Sequence, residues 1–425
     1  MKLQSLAKQL GISTDISAKT PLAYRQIRTY FINRFHHLDR GKFQSPSIFP
    51  STELQRNESQ NEKEFSVYQR SDYTPEYLEG RFNKMFMKSS VATPRTLFFN
   101  SGMATISTVM FLLKNVKKLG TLYIGENAYF ETKWLSEDFK PAKYFNEYLP
   151  MFGKDARIFW LEYPVNCTQP SNYPFDNQLD LKKTLYSIVK ACRENPRQKY
   201  ALVVDYTLFY LPLDIFKYLD EVPGNLEVFL ITSLQKHRGY GFDLTNGGAL
   251  TFYSDANDYE ELKKLRAIMG TSITQETVWT MPEINPKLIN KIIQDSSLNA
   301  EKIFNQISKK EYGPVKFFYS KNGDFRTSFI FVEIDKILVK THRSKPFLSE
   351  KLVQEIITAA KKNSAVLVNG TSFGLPFSRI FKNSERYENT NSLRIAIGYD
   401  ENMCVGVAKS IIEGTENFVN LLKTI

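Results

Sequence analysis

The chain has 425 residues, 42% of them hydrophobic and 24% charged, and a formal net charge of +11 at pH 7. This length allows two or three domains with substantial cores. No stretch approaches the roughly 18 consecutive apolar residues of a membrane span, and the N-terminal residues lack the apolar run of a signal peptide. Three scattered cysteines and four histidines offer neither a disulfide framework nor metal-ligand spacing, so we expect a cytoplasmic protein without a metal site.

The positive net charge indicates an anionic partner. Lysines and arginines are spread along the whole chain, with no basic tract interleaved with aromatic residues and no nucleic-acid-binding motif. Phosphate and carboxylate groups of small molecules use positive charge equally well. We therefore expect a small-molecule partner, no nucleic acid and no membrane.

The first part of the chain, 1–62, is polar and basic and predicts an N-terminal arm with one or two short helices; a partly flexible leader is the alternative. From about residue 95, apolar strands alternate with helical segments. The predicted strands are 96–100, 121–125, 156–163, 200–205, 226–232 and 248–253, and the predicted helices are 103–116, 179–194 and 255–269. Fully apolar strands separated by helices indicate a mostly parallel sheet covered on both faces, with ligands at the carboxyl ends of the strands.

A long helix predicted over 285–309 leads into a second unit. That unit alternates predicted strands and helices, namely strands 315–318, 328–334 and 393–398 with helices 348–362 and 403–422. The pattern indicates a smaller α/β domain. We thus predict an arm over 1–62, a large domain over 63–284 and a small C-terminal domain over 285–425.

Lys236 is the residue that says most about function. It ends the motif Ser233-Leu-Gln-Lys236, directly after a buried apolar run and before the glycine-rich stretch 239–248. A lysine at a strand exit can form a Schiff base with an aldehyde cofactor or a carbonyl substrate, although such lysines are also often structural. Asp205 similarly ends an apolar run, and a buried carboxylate needs a cationic partner. A lysine Schiff base with an aspartate at the pyridinium nitrogen is how pyridoxal 5′-phosphate is held.

The segment Asn100-Ser-Gly-Met-Ala-Thr105 lies between a predicted strand and a predicted helix. Small residues at a helix N-terminus expose backbone N–H groups, which form a natural phosphate site. The alternative is an ordinary helix cap by Ser101.

Together these motifs resemble the Cys/Met-metabolism (trans-sulfuration) family of pyridoxal-phosphate enzymes, which includes cystathionine γ-synthase, cystathionine lyases, methionine γ-lyase and O-acetylhomoserine sulfhydrylase. The matching segments, in the order found in that family, are Tyr68-Gln-Arg70, Tyr73-Thr-Pro75, Leu78-Glu-Gly-Arg81, Ser101-Gly-Met103, Tyr129-Phe-Glu-Thr132, Glu162-Tyr-Pro-Val-Asn166, Asp205-Tyr-Thr207, Ser233-Leu-Gln-Lys236 and Ser392-Leu-Arg394-Ile-Ala-Ile-Gly398. The resemblance implies fold type I: a large domain with a mostly parallel sheet and a smaller C-terminal α/β domain.

The resemblance also implies roles for the matching residues. Lys236 would hold the cofactor and then move protons, Asp205 would keep its ring nitrogen protonated, and Tyr129 would stack on the ring and serve as an acid–base group. The implied cofactor-binding residues are Tyr68, Arg70, Ser101, Gly102, Met103, Tyr129, Asn166, Asp205, Thr207, Ser233 and Lys236. Tyr68 and Arg70 would reach the phosphate of a neighbouring subunit, which implies a homodimer or homotetramer with shared active sites.

Three residues are implied on the substrate side. Arg394 would bind the α-carboxylate of an amino acid by a bidentate pair, supported by Ser372. Glu131 would contact a cationic or hydroxyl-bearing substrate. The structural alternatives are an ion pair for Arg394, a loop cap for Ser372 and a helix N-terminal charge for Glu131; for Tyr129 the alternative is core packing.

The chain departs from the family pattern around the implied pocket. Gln235 stands where the family has Thr, and His237-Arg-Gly-Tyr-Gly-Phe-Asp243 lacks the second histidine of the family segment. The bulky pair Phe130-Glu131 replaces two small residues, and Tyr206 replaces Asn. These changes predict a reshaped pocket and favour a specialised biosynthetic substrate.

The leading interpretation is a lyase or γ-replacement enzyme of sulfur amino acid-like metabolism, acting on an amino acid with a leaving group at Cγ or Cβ. An aminotransferase of the same fold is an alternative, because it needs Lys236 and Asp205 but not the Tyr68 and Tyr129 motifs. A non-catalytic protein that binds pyridoxal phosphate or an amino acid is a third reading.

Overall fold

A computed structural model describes residues 2–12, 16–17, 20–37, 76–86, 93–126, 128–146, 150–164, 181–218, 222–322, 325–335, 338, 345–382 and 392–423. Contacts divide the chain into two compact units. The larger unit lies within Arg28–Asn166 and Leu179–Pro286, and the other lies within Met1–Ile27 and Lys287–Ile425. The domain boundaries at 62 and 284 remain a prediction.

The larger unit is built on a seven-stranded sheet. Its strands are β1 (Arg95–Phe99), β2 (Thr121–Gly125), β3 (Ala142–Phe145), β4 (Ala156–Glu162), β5 (Tyr200–Asp205), β6 (Leu226–Ser233) and β7 (Gly248–Tyr253). The spatial order is β1-β7-β6-β5-β4-β2-β3. Strands β3, β2, β4, β5 and β6 run parallel, and β7 is antiparallel to both of its neighbours.

Helices cover this sheet because its strands are apolar on both faces. The helices described in this unit are α3 (Glu76–Asn83), α4 (Gly102–Phe111), α5 (Phe130–Ser136), α6 (Leu181–Glu194), α7 (Ala256–Ile268) and α8 (Gln275–Thr280). Side chains of β2, β5 and β6 are buried along almost their whole length, which a parallel sheet between helix layers requires. The predicted fold class, fold type I with a mostly parallel sheet, is confirmed.

The second unit contains a five-stranded sheet. Its strands are β8 (Val315–Asn322), β9 (Phe325–Ile334), β10 (Leu367–Asn369), β11 (Ser378–Lys382) and β12 (Ser392–Ala396), in the order β10-β11-β12-β9-β8. The pairs are antiparallel except for β10 with β11. Three long helices accompany the sheet: α9 (Pro286–Ile307), α10 (Lys345–Lys362) and α11 (Val407–Leu422). Helices α10 and α11 approach closely at Gly414, where a β-carbon would lie 2.4 Å from Cα of Ile356.

The N-terminal region contributes two helices, α1 (Leu3–Gln9) and α2 (Thr20–His37). Helix α1 packs within the second unit: the Leu3 N–H donates to Oδ2 of Asp400 at 3.1 Å, and Leu6 is fully buried. The ring of Tyr24 contacts that of Phe377 edge-on, 5.5 Å between centroids. The N-terminal residues up to Ile27 are therefore a structural part of this unit.

Some elements differ from the sequence prediction. The helix predicted over 403–422 is a 3₁₀ turn, Glu401–Cys404, followed by α11, because Gly406 adopts a left-handed conformation with φ of 77°. The helix predicted over 103–116 changes from α to π geometry over Leu112–Val116. The shorter elements α3, α5, α8, β3, β10 and β11 have too few residues to show a clear period. Among the described helices, none is both long and apolar enough to span a membrane.

A buried ion pair fixes α3 on the larger unit. Arg266 on α7 donates to Oε1 of Glu79 at 2.6 Å and to the carbonyl of Phe98 at 3.0 Å. The Phe98 N–H donates to the same carboxylate oxygen at 2.7 Å. Both charged side chains are at most 4% exposed, so the three contacts must offset the cost of removing two charges from water.

We expect Arg266→Met to lower the free energy of unfolding by about 3 kcal/mol, because it removes the cation that neutralises the buried Glu79 carboxylate. Urea denaturation followed by circular dichroism measures the change. Lys264→Met is the matched control, since the Lys264–Glu261 pair on the same helix is exposed and should contribute no more than about 0.5 kcal/mol. Equal losses in the two variants would contradict this assignment.

Candidate active site

The carboxyl ends of β5 and β6 bring Asp205 and Ser233 together. These strands are parallel neighbours, with Asp205 opposite Ile231, so Ser233 lies just beyond the level of Asp205. The Ser233 N–H donates to the hydroxyl of Thr207 at 2.9 Å. Three residues that the sequence analysis assigned to the cofactor therefore share one edge of the sheet, where ligands of parallel sheets bind.

Thr207 also supports the Asp205 carboxylate. The Thr207 N–H donates to Oδ1 of Asp205 at 2.9 Å. Desolvation raises the pKa of Asp205 above its ordinary value, while the Thr207 hydrogen bonds and the positive charge of Arg238 oppose that rise. The Asp205 carboxylate is thus held by a short turn that immediately follows its own strand.

The N-terminus of α4 lies against Ser233. The Ser101 hydroxyl caps the helix by accepting from the Ala104 N–H at 2.9 Å, as the structural alternative for Ser101 predicts. A β-carbon added to Gly102 would lie 3.3 Å from Cβ of Ser233. Because the first N–H groups of a helix have no acceptor within the helix, those of Gly102 and Met103 are available to an anion. The capping and the phosphate-site readings of this segment are compatible.

Gly248 permits this close approach. It lies opposite Ser233 on β6 and opposite Phe99 on β1. A β-carbon at Gly248 would lie 2.4 Å from the carbonyl oxygen of Ser101 and 2.3 Å from Oγ1 of Thr105. Only glycine therefore fits here while the first turn of α4 keeps its position.

Lys236 lies in a tightly bonded loop after β6. Its carbonyl accepts from the N–H groups of Gly239 at 3.1 Å and Gly241 at 3.3 Å. The Gln235 N–H donates to the Ser233 hydroxyl at 3.3 Å, and the Gln235 side chain donates to Asp243 at 2.8 Å. Gln235, which stands where the family has Thr, thus bonds across the loop. The Lys236 side chain keeps partial exposure.

Residues 237–242 of this loop are buried, and the loop is conformationally constrained. Tyr240 and Asp243 have positive φ angles of 55° and 56°, in the left-handed region that non-glycine residues seldom adopt. The Tyr240 hydroxyl donates to the Glu283 carbonyl at 2.5 Å and accepts from the Asn285 N–H at 2.9 Å. Burial and the nearby charge of Arg238 lower the pKa of His237 to about 3, so its ring is neutral at pH 7.

Tyr129 and Glu131 lie at the start of α5, a few residues after the carboxyl end of β2. Tyr129 is the residue before the first turn, its ring centroid 4.6 Å from that of Phe130. Glu131 is in the first turn, where its charge suits the helix N-terminus. Both side chains are partly exposed. Tyr129 and Glu131 lie near the carboxyl ends of the parallel strands, so each residue can have either the predicted functional role or the structural alternative.

Arg394 and Ser372 lie in the second unit. The Arg394 guanidinium donates to the Thr371 carbonyl at 2.6 Å, directly beside Ser372. Its central carbon is 4.8 Å from the ring centroid of Phe329 and 5.6 Å from that of Phe373. Arg394 is 7% exposed and Ser372 9% exposed. The structure therefore brings together the two residues implied to bind the substrate carboxylate.

The outcome for the remaining site residues is mixed. Tyr68, Arg70 and Asn166 lie outside the described residues, so their roles stay predictions. Gly248 and Arg238 had no predicted role, yet Gly248 makes room for the first turn of α4 and Arg238 bonds to the turn after Asp205. Little in the sequence distinguishes them, because Gly248 is one of several glycines in a glycine-rich stretch and Arg238 is one basic residue in a basic chain.

Sequence comparison with known proteins finds only distant similarity. No known protein-family model matches the sequence. Bifunctional enzyme FlvA of Aspergillus flavus is 21% identical over 342 residues, which is 76% of this chain but 39% of that protein. The chain thus spans well under half the length of this curated relative.

Solved structures show more extensive similarity. A methionine γ-lyase, CalE6 of Micromonospora echinospora, has a TM-score of 0.58 at 14% identity, over 86% of this chain and 90% of that chain. A cystathionine γ-lyase of Lactobacillus plantarum, in complex with L-serine, has a TM-score of 0.57 at 16% identity, over 92% and 99%. The chain has the fold of the trans-sulfuration enzymes.

A third structure carries the cofactor. It is a protein of Campylobacter jejuni assigned as an O-acetylhomoserine (thiol)-lyase, with N′-pyridoxyl-lysine-5′-monophosphate. Its TM-score is 0.54 at 14% identity, over 90% of this chain and 99% of that chain. The fold that this chain shares therefore includes a member with a pyridoxyl group on a lysine.

We expect Gly248→Ala to weaken binding of pyridoxal 5′-phosphate at least about tenfold, because the new methyl group displaces the first turn of α4 and its N–H groups. Titration with the cofactor, followed by visible absorption, measures the affinity. Gly224→Ala is the control, since a β-carbon there meets no atom within 4 Å. Unchanged affinity in Gly248→Ala would show that this turn does not bind the phosphate.

Proposed function

We propose that the chain is an enzyme that binds pyridoxal 5′-phosphate through Lys236. The observation that carries the proposal is the contact of Gly102, Thr207 and Ser233 at one sheet edge, beside Asp205 and Lys236. The Ser233 N–H donates to Thr207 at 2.9 Å, and Gly102 packs on Ser233. These residues fall at one place although they come from three separate parts of the chain.

The residues present fit the cofactor. The N–H groups of Gly102 and Met103 and the Ser233 hydroxyl form a site for a phosphate dianion at a helix N-terminus. Asp205 supplies a carboxylate for the ring nitrogen, and Thr207 holds that carboxylate through its N–H at 2.9 Å. Lys236 follows Ser233 by three residues and supplies the amine.

When bound, the cofactor supplies an electron sink for a carbanion at Cα of an amino acid. In this chain the Lys236 amine would take the proton from Cα and return it at a later step. Asp205 would keep a proton on the ring nitrogen, and Tyr129 would cover the ring and serve as an acid–base group. Loss of a leaving group from Cγ or Cβ of the substrate gives elimination. If a nucleophile then takes the place of the leaving group, the result is replacement.

Arg394 is proposed to bind the substrate α-carboxylate, with Ser372 beside it. Contacts with the rings of Phe329 and Phe373, which pack edge-on against each other, help to hold the guanidinium in place, so that a planar carboxylate can be bound with two parallel hydrogen bonds. Similarity to a methionine γ-lyase and a cystathionine γ-lyase supports an amino acid with a side-chain leaving group. Similarity to a bifunctional enzyme supports a specialised substrate.

The same proposal includes a second subunit. Tyr68 and Arg70 would bind the phosphate of a neighbouring copy, as the sequence resemblance implies. The active form would then be a homodimer or homotetramer.

We expect the purified chain to take up pyridoxal 5′-phosphate with a visible absorption band that is absent in Lys236→Ala, since no amine is then available for the Schiff base. Lys217→Ala, which removes an exposed lysine of the same unit, should keep the band. A band of full intensity in Lys236→Ala would contradict the assignment of Lys236.

Turnover separates the enzymatic readings. Homoserine esters, cystathionine, methionine and cysteine are each added, and keto acid, ammonia and new thioethers are measured. We expect keto acid and ammonia for elimination, or a thioether when a thiol is added. Product formation that strictly requires a keto-acid acceptor would favour the aminotransferase reading, and cofactor binding without turnover would favour the non-catalytic one.

We expect Arg394→Lys to raise KM for the amino-acid substrate about tenfold or more, because lysine cannot bind a carboxylate with two parallel N–H groups. Steady-state kinetics measures KM and kcat. Arg379→Lys is the control: Arg379 lies on the adjacent strand β11 and also stacks on a ring, 5.5 Å from the Phe377 centroid. Similar KM changes in both variants would reject a specific role for Arg394.

A further inference from the structure

Arg238 is a buried cation for which the proposed mechanism has no use. It lies two residues after Lys236 and is 1% exposed. Its Nη2 donates to the carbonyls of Phe209 at 2.8 Å and Tyr206 at 3.3 Å. The guanidinium also lies over the Tyr206 ring, 5.4 Å from its centroid. These contacts fix the charge beside the turn that follows Asp205.

The contacts do not account for burying a full charge. Nε and Nη1 of Arg238 are buried and have no hydrogen-bond partner, and within the part of the chain that the structure describes no carboxylate forms an ion pair with it. Burial lowers the pKa of Arg238 to about 10, which leaves the guanidinium charged at pH 7. A buried charge without a paired carboxylate is costly, and the two contacts with carbonyl groups need an N–H donor but not a positive charge.

The groups that face Arg238 identify its electrostatic partner. Tyr206 and Asp205 act on it, and both favour the charged guanidinium. Burial raises the pKa of the Tyr206 phenol well above its ordinary range, so Tyr206 is neutral. His237 is also neutral. The two cations beside His237 are Lys236, which precedes it, and Arg238, which follows it. Among the groups that act on Arg238, Asp205 is therefore the one whose ionised form would carry the opposite charge.

We propose that Arg238 is a positioning residue whose fixed positive charge keeps the Asp205 carboxylate ionised. The inference rests on the proposed function, because an ionised Asp205 is what would hold a proton on the ring nitrogen of the cofactor. Desolvation alone favours a neutral carboxyl group. The Thr207 hydrogen bonds and the Arg238 charge both act in the opposite direction. Thr207 both holds the Asp205 carboxylate in place and stabilises its ionised form by hydrogen bonding, whereas Arg238 stabilises that form through its charge.

The first test measures Asp205 itself and does not depend on activity. The full chain is freed of cofactor with hydroxylamine, its aspartates are labelled with ¹³C at Cγ, and Asp205→Asn assigns the resonance. We expect Asp205 to be ionised at pH 7, its titration midpoint to rise in Arg238→Gln, and the midpoint to stay near wild type in Arg238→Lys. Glutamine keeps a polar N–H donor group but not the charge, while lysine keeps the charge.

A purely structural role predicts another pattern, in which the glutamine and lysine variants shift the Asp205 midpoint equally or not at all. That result would overturn the inference. A neutral Asp205 at pH 7 in the wild-type chain would also overturn it, and this measurement needs no Arg238 variant, only the assignment variant Asp205→Asn.

The second test uses two cofactor forms: pyridoxal 5′-phosphate and its 1-deaza analogue, which has C–H in place of the ring nitrogen. Arg238→Gln should reduce the preference for the natural cofactor about tenfold, the loss expected for one charge-assisted contact, and Arg238→Lys should retain it. Equal weakening of both forms in Arg238→Gln would contradict the inference. If the wild-type chain binds neither form, the proposed function fails, while the Asp205 titration still decides the role of Arg238.

Discussion

The hydrogen bond from the Ser233 N–H to the Thr207 hydroxyl joins the two halves of the candidate site. Thr207 follows Asp205 at the end of β5, and Ser233 ends β6, so this contact at 2.9 Å connects the carboxylate to the lysine loop. Parallel pairing of β5 with β6 sets the register that makes the contact. The rest of the site is built outward from it: Gly102 packs on Ser233, and Gly248 makes room for the first turn of α4.

The polar groups of the site lie at the ends of buried apolar strands. Each charge among them is therefore partly removed from water, which costs free energy. The apolar strands that made the fold predictable also desolvate Asp205, and thereby favour its neutral form. Thr207 and Arg238 compensate by different means, one through hydrogen bonds and the other through charge. A buried cation two residues after Lys236, the proposed cofactor-binding lysine, is costly for stability, which makes its presence informative about function.

The sequence was enough to predict the large sheet, because fully apolar strands between helices fit few other architectures. It also pointed to Asp205, Ser101 and Lys236, since each lies where an apolar run stops. Gly248 could not be assigned, because its role depends on how α4 approaches β7. Arg238 is one of 56 basic residues, and nothing local distinguishes it before the chain is folded. Short edge strands such as β3, with two exposed residues of four, carry too weak a period.

The central claim is that one particular amine binds the cofactor. Reduction of the loaded protein with borohydride, followed by proteolysis and mass spectrometry, tests it directly because the label becomes permanent at the attachment point. The account predicts a phosphopyridoxyl group on the peptide that contains Lys236 and on no other lysine peptide in comparable yield. A label confined to a different lysine, or no label after incubation with pyridoxal 5′-phosphate, would contradict it.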